Sequence, residues 1–300
     1  MNLIALFLGL MLERTATRLL HLREPRWLDP YFDWGFSKLG KMDGAAAIVV
    51  VIVLILLPVL PVLILQYQFS HLLFGILQIL FATFILFFSL GPRDLSKEVD
   101  EYIAAVESGD TEEIARTTKE LTESDPPRGE GAGVLAVEEA VLIQANNRVF
   151  GVIFWFMIFG PAGALLFRVA DLMRRRAVFK SGRMEAAGET QPGFLNILLA
   201  TFGVLAWLPA RLLALGYAMA GSFEAAVSDW RGYYESCSDK FFHVNDAILA
   251  AAGRGAIRAE SMETGEFPLR PVQAAMRLVN RTLLIWVTVI SLLTLIGFAA

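Results

Sequence analysis

No Asp, Glu, Lys or Arg occurs from Gly44 to Pro92, and His71 is the only side chain there that titrates near neutrality. A helix that crosses a bilayer needs about 20 apolar residues, so this interval holds two. The polar run Gln66-Tyr67-Gln68-Phe69-Ser70-His71 divides them, which predicts an antiparallel transmembrane hairpin of Ala45–Leu65 and Leu72–Leu90. Pro58 and Pro61 lie inside the first helix. Each removes a backbone hydrogen bond, and neighbouring helices are expected to satisfy the carbonyls so freed. Gly91-Pro92 ends the second helix.

Three further apolar stretches follow. Val149–Val169 is rich in aromatic residues and is interrupted by Gly160-Pro161-Ala162-Gly163. Gly193–Ala220 is apolar except for Pro209 and Arg211. It reads as a span or as a bent or re-entrant helix, because an arginine at mid-depth is costly without a partner. Leu283–Ala299 is clean but short. Met1–Leu12 is apolar over about half a span. It has neither a preceding basic residue nor a small-residue cleavage site, so it reads as a helix at the membrane interface rather than a secretory signal.

Composition agrees with membrane residence. Hydrophobic residues make up 56% of the chain and charged residues 19%, against roughly a quarter charged in soluble domains. That apolar surface excludes both a water-soluble globule and a disordered chain. A net charge of −4 provides no basic footprint, so nucleic acid is excluded as a partner. The single cysteine, Cys237, excludes an internal disulfide framework and a multi-thiolate metal site. His21, His71 and His243 stand apart without ligand spacing, so no metal site is expected. Apolar–polar alternation of strand length is absent. The expected fold is an all-α, polytopic α-helical membrane protein with about four or five transmembrane or re-entrant helices.

The expected organisation is an N-terminal interfacial helix and basic segment (1–43), a transmembrane hairpin (44–91) and an acidic helical loop (92–147). A membrane core (148–221), a helical extramembrane loop (222–280) and a C-terminal transmembrane helix (281–300) follow. Arg14, Arg18, Arg23, Arg26, Lys38 and Lys41 place the N-terminal segment on the cytoplasmic side. A spanning third stretch then puts Arg174-Arg175-Arg176 outside, against the same rule. Either the third stretch is a re-entrant hairpin broken at Gly160-Pro161, or the orientation is reversed.

Residues 92–147 carry fourteen acids and five bases. Ser96 is expected to cap a helix over Lys97–Glu107, with Val99, Tyr102, Ile103 and Val106 at helical spacing. Ser108-Gly109-Asp110 breaks it, and Asp110 or Thr111 caps Glu112–Thr122. Asp125–Gly129 reads as a loop and Gly129–Gly133 as a hinge. Val134–Gln144 forms a helix leading straight into the third stretch. Further on, Ser222–Tyr234 reads as an amphipathic helix with Phe223, Val227, Trp230 and Tyr234 on one side. Asn245 caps Asp246–Ala252, Glu263–Phe267 is a loop, and Pro268 and Pro271 precede the last helix.

The ionisable residues near membrane depth are the candidate site. Arg148 and Arg168 bracket the third stretch, Asp171 follows Arg168 at i+3, and Arg211 follows Pro209. Charged groups at such depth pair internally or bind ligand, and arginine is the preferred donor to carboxylate and phosphate oxygens. Arg174, Arg175 and Arg176 are candidates for binding anionic lipid headgroups, and together with the acidic loop they leave a lipid- or partner-binding membrane scaffold as an alternative function.

These stretches also carry a resemblance. Asn147-Arg148-Val149-Phe150, Phe154-Trp155-Phe156, the run Gly160-Pro161-Ala162-Gly163-Ala164-Leu165-Leu166-Phe167-Arg168, and Leu208-Pro209-Ala210-Arg211-Leu212 resemble the core of the AmpE and CobD/CbiB membrane proteins. The pair Ala115-Arg116 falls where both families place one. Leu12-Glu13-Arg14 with Trp27-Leu28-Asp29 resembles the AmpE N-terminus in particular.

The CobD/CbiB resemblance implies ATP-dependent amide synthesis on a corrin carboxylate. Mg-ATP is expected only on that alternative, and no cofactor otherwise. That family's Asn-Thr-x-Asp string is reduced here to Asp171 behind Val169-Ala170, and the acids before its Pro-Ala-Arg are replaced by Leu198-Leu199-Ala200-Thr201-Phe202. Glu138, Glu139, Asn146 and Asn147 echo only part of another acidic string. The AmpE resemblance is therefore preferred. It implies a multi-pass protein of the bacterial inner membrane, linked to β-lactamase induction and peptidoglycan recycling, and the loss of those acids points to a non-catalytic regulator rather than a ligase. Asn147, Arg148, Arg168, Asp171 and Arg211 would bind an anionic ligand or hold the bundle together. Membrane lipids, an anionic small molecule or a membrane-protein partner are the expected contacts.

Overall fold

The computed structural model describes residues 2–16, 28–39, 44–71, 75–91, 94–124, 131–186, 194–236, 244–262 and 269–296. Every regular element among them is helical. Three helices are long and apolar enough to cross a membrane: Ala132–Phe159, Phe194–Ala220 and Arg270–Leu295. The bent pair Gly44–Leu56 and Leu60–Phe69 makes a fourth if it counts as one span. The chain is an all-α polytopic membrane protein.

It divides into two compact units. The first comprises residues 1–92 and 151–206. It holds α1 (Asn2–Ala16), α2 (Asp29–Leu39), α3 (Gly44–Leu56), α4 (Leu60–His71), α5 (Gly75–Ser89), α9 (Gly151–Phe159), α10 (Pro161–Ala186) and the first part of α11 (Phe194–Ala220). Its helices approach closely at small residues, with Gly9 of α1 against Leu86 and Gly35 of α2 against Leu54.

Two expectations are corrected here. Pro58 does more than sit inside a helix: Leu57-Pro58-Val59 separates α3 from α4, and the axis turns by 45°. The run Gln66–His71 is not a break but the end of α4, because its amide and aromatic side chains are compatible with a helix that packs on its neighbours. A residue at position 58 with an N–H would donate to the Leu54 carbonyl, and proline lacks that donor. The Tyr31 hydroxyl of α2 donates to this carbonyl instead, at 2.8 Å. The same repair recurs at Pro209 in α11, where the Trp155 indole N–H donates to Leu205 O at 3.1 Å. Tyr31→Phe strands a largely buried acceptor and is expected to cost about 1 to 2 kcal/mol. A melting temperature unchanged in detergent would contradict this.

The second unit comprises residues 93–150 and 207–299. It holds α6 (Leu95–Ser108), α7 (Thr111–Thr122), α8 (Ala132–Ala145), a π-helical turn at Asn146–Phe150, the remainder of α11, α12 (Phe223–Ser236), α13 (Asn245–Met262) and α14 (Arg270–Leu295). The cap of α6 is Asp94, not Ser96: the Asp94 carboxylate accepts from the Ser96 N–H at 3.0 Å. Gly109 ends α6 at φ 70°, and Asp110 caps α7 through the N–H groups of Glu112 and Glu113. Residues 125–130 lie outside the described set, but Ala132 and Gly133 already belong to α8, so the expected hinge does not extend through them.

α8 does lead into the third apolar stretch. The helix long and apolar enough to cross is therefore Ala132–Phe159, not Val149–Val169, and it ends where Gly160 takes φ 65°. The packed face of α12 is Ala226, Val227, Trp230 and Tyr233, while Phe223 and Tyr234 are exposed. α14 begins at Arg270 rather than Leu283. Pro271 fits in its first turn, where a missing N–H costs nothing. α13 runs to Met262, well past Ala252.

Candidate functional site

In the second unit the functional candidates gather at the π-helical turn. Asn146, Asn147 and Arg148 are all buried there. An extra residue per turn displaces the side chains from the i, i+4 rows, and such turns recur at functional sites. The Arg148 Nη1 donates to Glu98 Oε2 at 2.6 Å, and both side chains are almost sequestered, at 3% and 8% exposure. Arg148 Nε donates to Gln144 Oε1 at 3.2 Å, and Gln144 Nε2 donates in turn to Glu123 Oε1 at 2.7 Å. Glu123 closes α7 in the left-handed region at φ 57°, a conformation uncommon outside glycine. Asn146 donates to Asn147 Oδ1 at 3.3 Å, while its own Oδ1 is buried without a hydrogen-bond partner among the described residues.

Arg211 of α11 lies in the same unit. It donates through Nη1 to Asn245 Oδ1 and through Nη2 to the Tyr234 hydroxyl at 3.1 Å, and its guanidinium stacks 5.1 Å from the Trp207 ring centre. Asn245, expected only as a helix cap, thus supplies an acceptor to Arg211. That answers the cost of placing an arginine in an apolar helix.

Arg168 and Asp171 belong to the first unit, on α10. Asp171 is fully buried and accepts from Arg168 at 3.0 Å, Arg174 at 2.8 Å and Arg175 at 2.9 Å. All three arginines lie on its own helix at i−3, i+3 and i+4. Burial pushes its carboxyl up, but Arg175, Arg174 and Arg168 together more than offset this and hold it well below the usual carboxylate range. Arg174 also lies 5.0 Å from the ring centre of Phe202. Arg176 turns to α2, bridging Asp33 at 2.7 Å and Asp29 at 3.2 Å. The hydrogen bond from Arg176 holds the Asp33 carboxyl below its ordinary value. The tri-arginine run is therefore split between two acceptor sets.

Sequence reasoning paired Arg168 with Asp171 and overlooked Glu98, Gln144 and Glu123. A signal existed for Glu98. It lies beside Leu95, Val99 and Tyr102 on the buried face of α6, where an acid is out of place unless it has a partner. Cys237, His21 and His243 lie outside the described residues, as does the His71 side chain. Among the described residues no cluster of three or more His, Cys, Asp or Glu is placed to hold a metal ion.

Residues 1–299 match the family described as Regulatory signalling modulator protein AmpE. The chain belongs to the AmpE family. Two proteins described as Cobalamin biosynthesis protein CobD are also similar. The one from Chromobacterium violaceum is 27% identical over 235 residues, covering 70% of each chain. The one from Stutzerimonas stutzeri is 26% identical over 174 residues, covering 58% of this AmpE-family chain and 54% of the relative. No solved structure matches. Family membership marks the molecule as a regulatory membrane protein, and the CobD similarity extends the sequence resemblance stated above.

Proposed function

We propose that this AmpE-family protein resides in the bacterial inner membrane and regulates β-lactamase induction in connection with peptidoglycan recycling, without catalysing a reaction. The observation that supports this best is the pairing of its deepest charges: Arg148 with Glu98, and Asp171 with three arginines of its own helix. These charges are engaged with one another inside the fold, and their proposed role is to hold one arrangement of the helices rather than to act on a substrate. Arg211 is the group proposed to meet an anionic small molecule or a partner. Its planar donor is pre-oriented by Asn245, Tyr234 and Trp207, and such a fork suits carboxylate or phosphate oxygens. Arg148, Asn147, Arg168 and Asp171 hold the frame. Arg174, Arg175 and above all the more exposed Arg176 contact anionic lipid headgroups. Neither a cofactor nor nucleic acid takes part.

Arg211→Ala tests the assignment in cells with an inducible β-lactamase and no other copy of the gene. Induction should fall at least tenfold while the amount of membrane-inserted protein stays the same. Loss of the protein in step with induction would make Arg211 structural and defeat the ligand assignment.

The similarity to the CobD proteins favours a second reading, an ATP-dependent amide-forming enzyme of the adenosylcobinamide-phosphate synthase type. Purified protein that hydrolyses ATP only when given a corrinoid acid and an amino alcohol would establish that reading and displace the first.

A further inference from the structure

In the first unit, backbone groups stranded by breaks in the helices are repaired by side chains from other helices. Tyr31 and Trp155 each serve one carbonyl. Gln66 of α4 serves two groups at once. Its Nε2 donates to Phe159 O at 3.0 Å, and its Oε1 accepts from the Ala162 N–H at 3.0 Å. One amide thus joins the last residue of α9 to the first turn of α10. Between them Gly160 takes φ 65°, and a Cβ on Gly160 would lie 3.0 Å from the Gln66 nitrogen. In an apolar medium no water replaces these bonds when they open.

The same side chain borders a cavity of about 610 Å³. Leu56 and Val59 flank the α3–α4 break on one part of its wall, and Ile158, Gly160 and Leu166 flank the α9–α10 break on another. Gln78 of α5 also lines it, half-buried and without a hydrogen-bond partner among the described residues. The cavity is thus lined by two amides, those of Gln66 and Gln78.

We propose that Gln66 is a releasable latch on the chain reversal at Gly160: docked, it locks α9 to α10, and swung into the cavity toward Gln78 it lets the reversal open. This is a conformational device separate from the assignment of Arg211 to a ligand, and it stands whatever that ligand is. The α3–α4 break and the α9–α10 break both border this cavity, so opening requires no repacking of an intact helix.

Amide hydrogen exchange on the full chain in lipid nanodiscs tests it. Gln66→Met keeps the length of the side chain and removes both bonds. Exchange in a peptide covering residues 160–166 should rise at least tenfold, while a peptide covering residues 151–156 stays unchanged. Gln78→Leu removes the partner of the released state, so exchange in 160–166 should fall at least threefold below that of the unmodified protein. Should the methionine variant fail to insert, Gln66→Asn, one methylene shorter, carries the same expectation. Unchanged exchange in the Gln66 variant, or an equal rise in both peptides, overturns the latch. Unchanged exchange in Gln78→Leu overturns the released position.

Discussion

Gly163→Ala is expected to leave almost no folded protein in the membrane. The Cβ it adds would lie 2.1 Å from the Trp155 carbonyl oxygen and 2.9 Å from the Phe159 Cβ. Residues 155 and 163 are more than two turns apart, so they touch only because the chain turns back sharply at Gly160. The oxygen belongs to the α9 backbone and cannot move aside as a flexible side chain would. Overpacking costs about 1 to 3 kcal/mol when side chains can adjust, and more when they cannot. A cost above about 3 kcal/mol is a large share of the roughly 5 to 15 kcal/mol that holds a domain together. Gly182→Ala is the control, because it lies in the same helix α10 and its added Cβ meets nothing within 4 Å. The control should match or slightly exceed the unmodified protein. The measurement is the monodisperse fraction after detergent extraction, and equal yields for the two variants would contradict the close approach.

Breaking the Glu98–Arg148 pair should have a comparable effect. Arg148→Ala leaves the Glu98 carboxylate buried beside an empty space, and Glu98→Ala leaves the guanidinium in the same condition. Each is expected to cost about 3 to 5 kcal/mol. The double variant Glu98→Leu with Arg148→Met removes both charges and keeps much of the volume, so it should recover most of the loss. Thermal unfolding of the unmodified protein, Glu98→Leu, Arg148→Met and the double variant closes a double-mutant cycle. Additive losses would show that the two side chains do not depend on one another. Because the pair joins α6 to the turn that continues α8, loss of the pair should also blunt the induction response.

Legibility in the sequence differed with the kind of information each feature needs. α11 was readable almost to the residue, since hydropathy over about 20 positions is a local sum. The break between α6 and α7 was equally plain, because Gly109 and Asp110 act on their immediate neighbours. The pairing of Arg168 with Asp171 needed only the helical repeat. Ser96 was misjudged as a cap because two capping residues stand close together, and the choice of Asp94 depends on where the backbone enters the helix. Gln66 looked like part of a polar interruption. A glutamine in an apolar stretch says that a partner exists without saying which one.

What the residues alone determined is the medium and the material: a membrane, helices to cross it, and prolines and glycines where those helices must give way. The tertiary structure decided who answers whom. Glu98 and Arg148 are 50 positions apart, Trp155 reaches Leu205 across the same interval, and Gln66 reaches Phe159 across 93. Helix formation depends on bonds four residues apart, which a local reading contains. The partner of a buried charge or a freed carbonyl depends on which helix faces which, and that emerges only when packing and desolvation are resolved together.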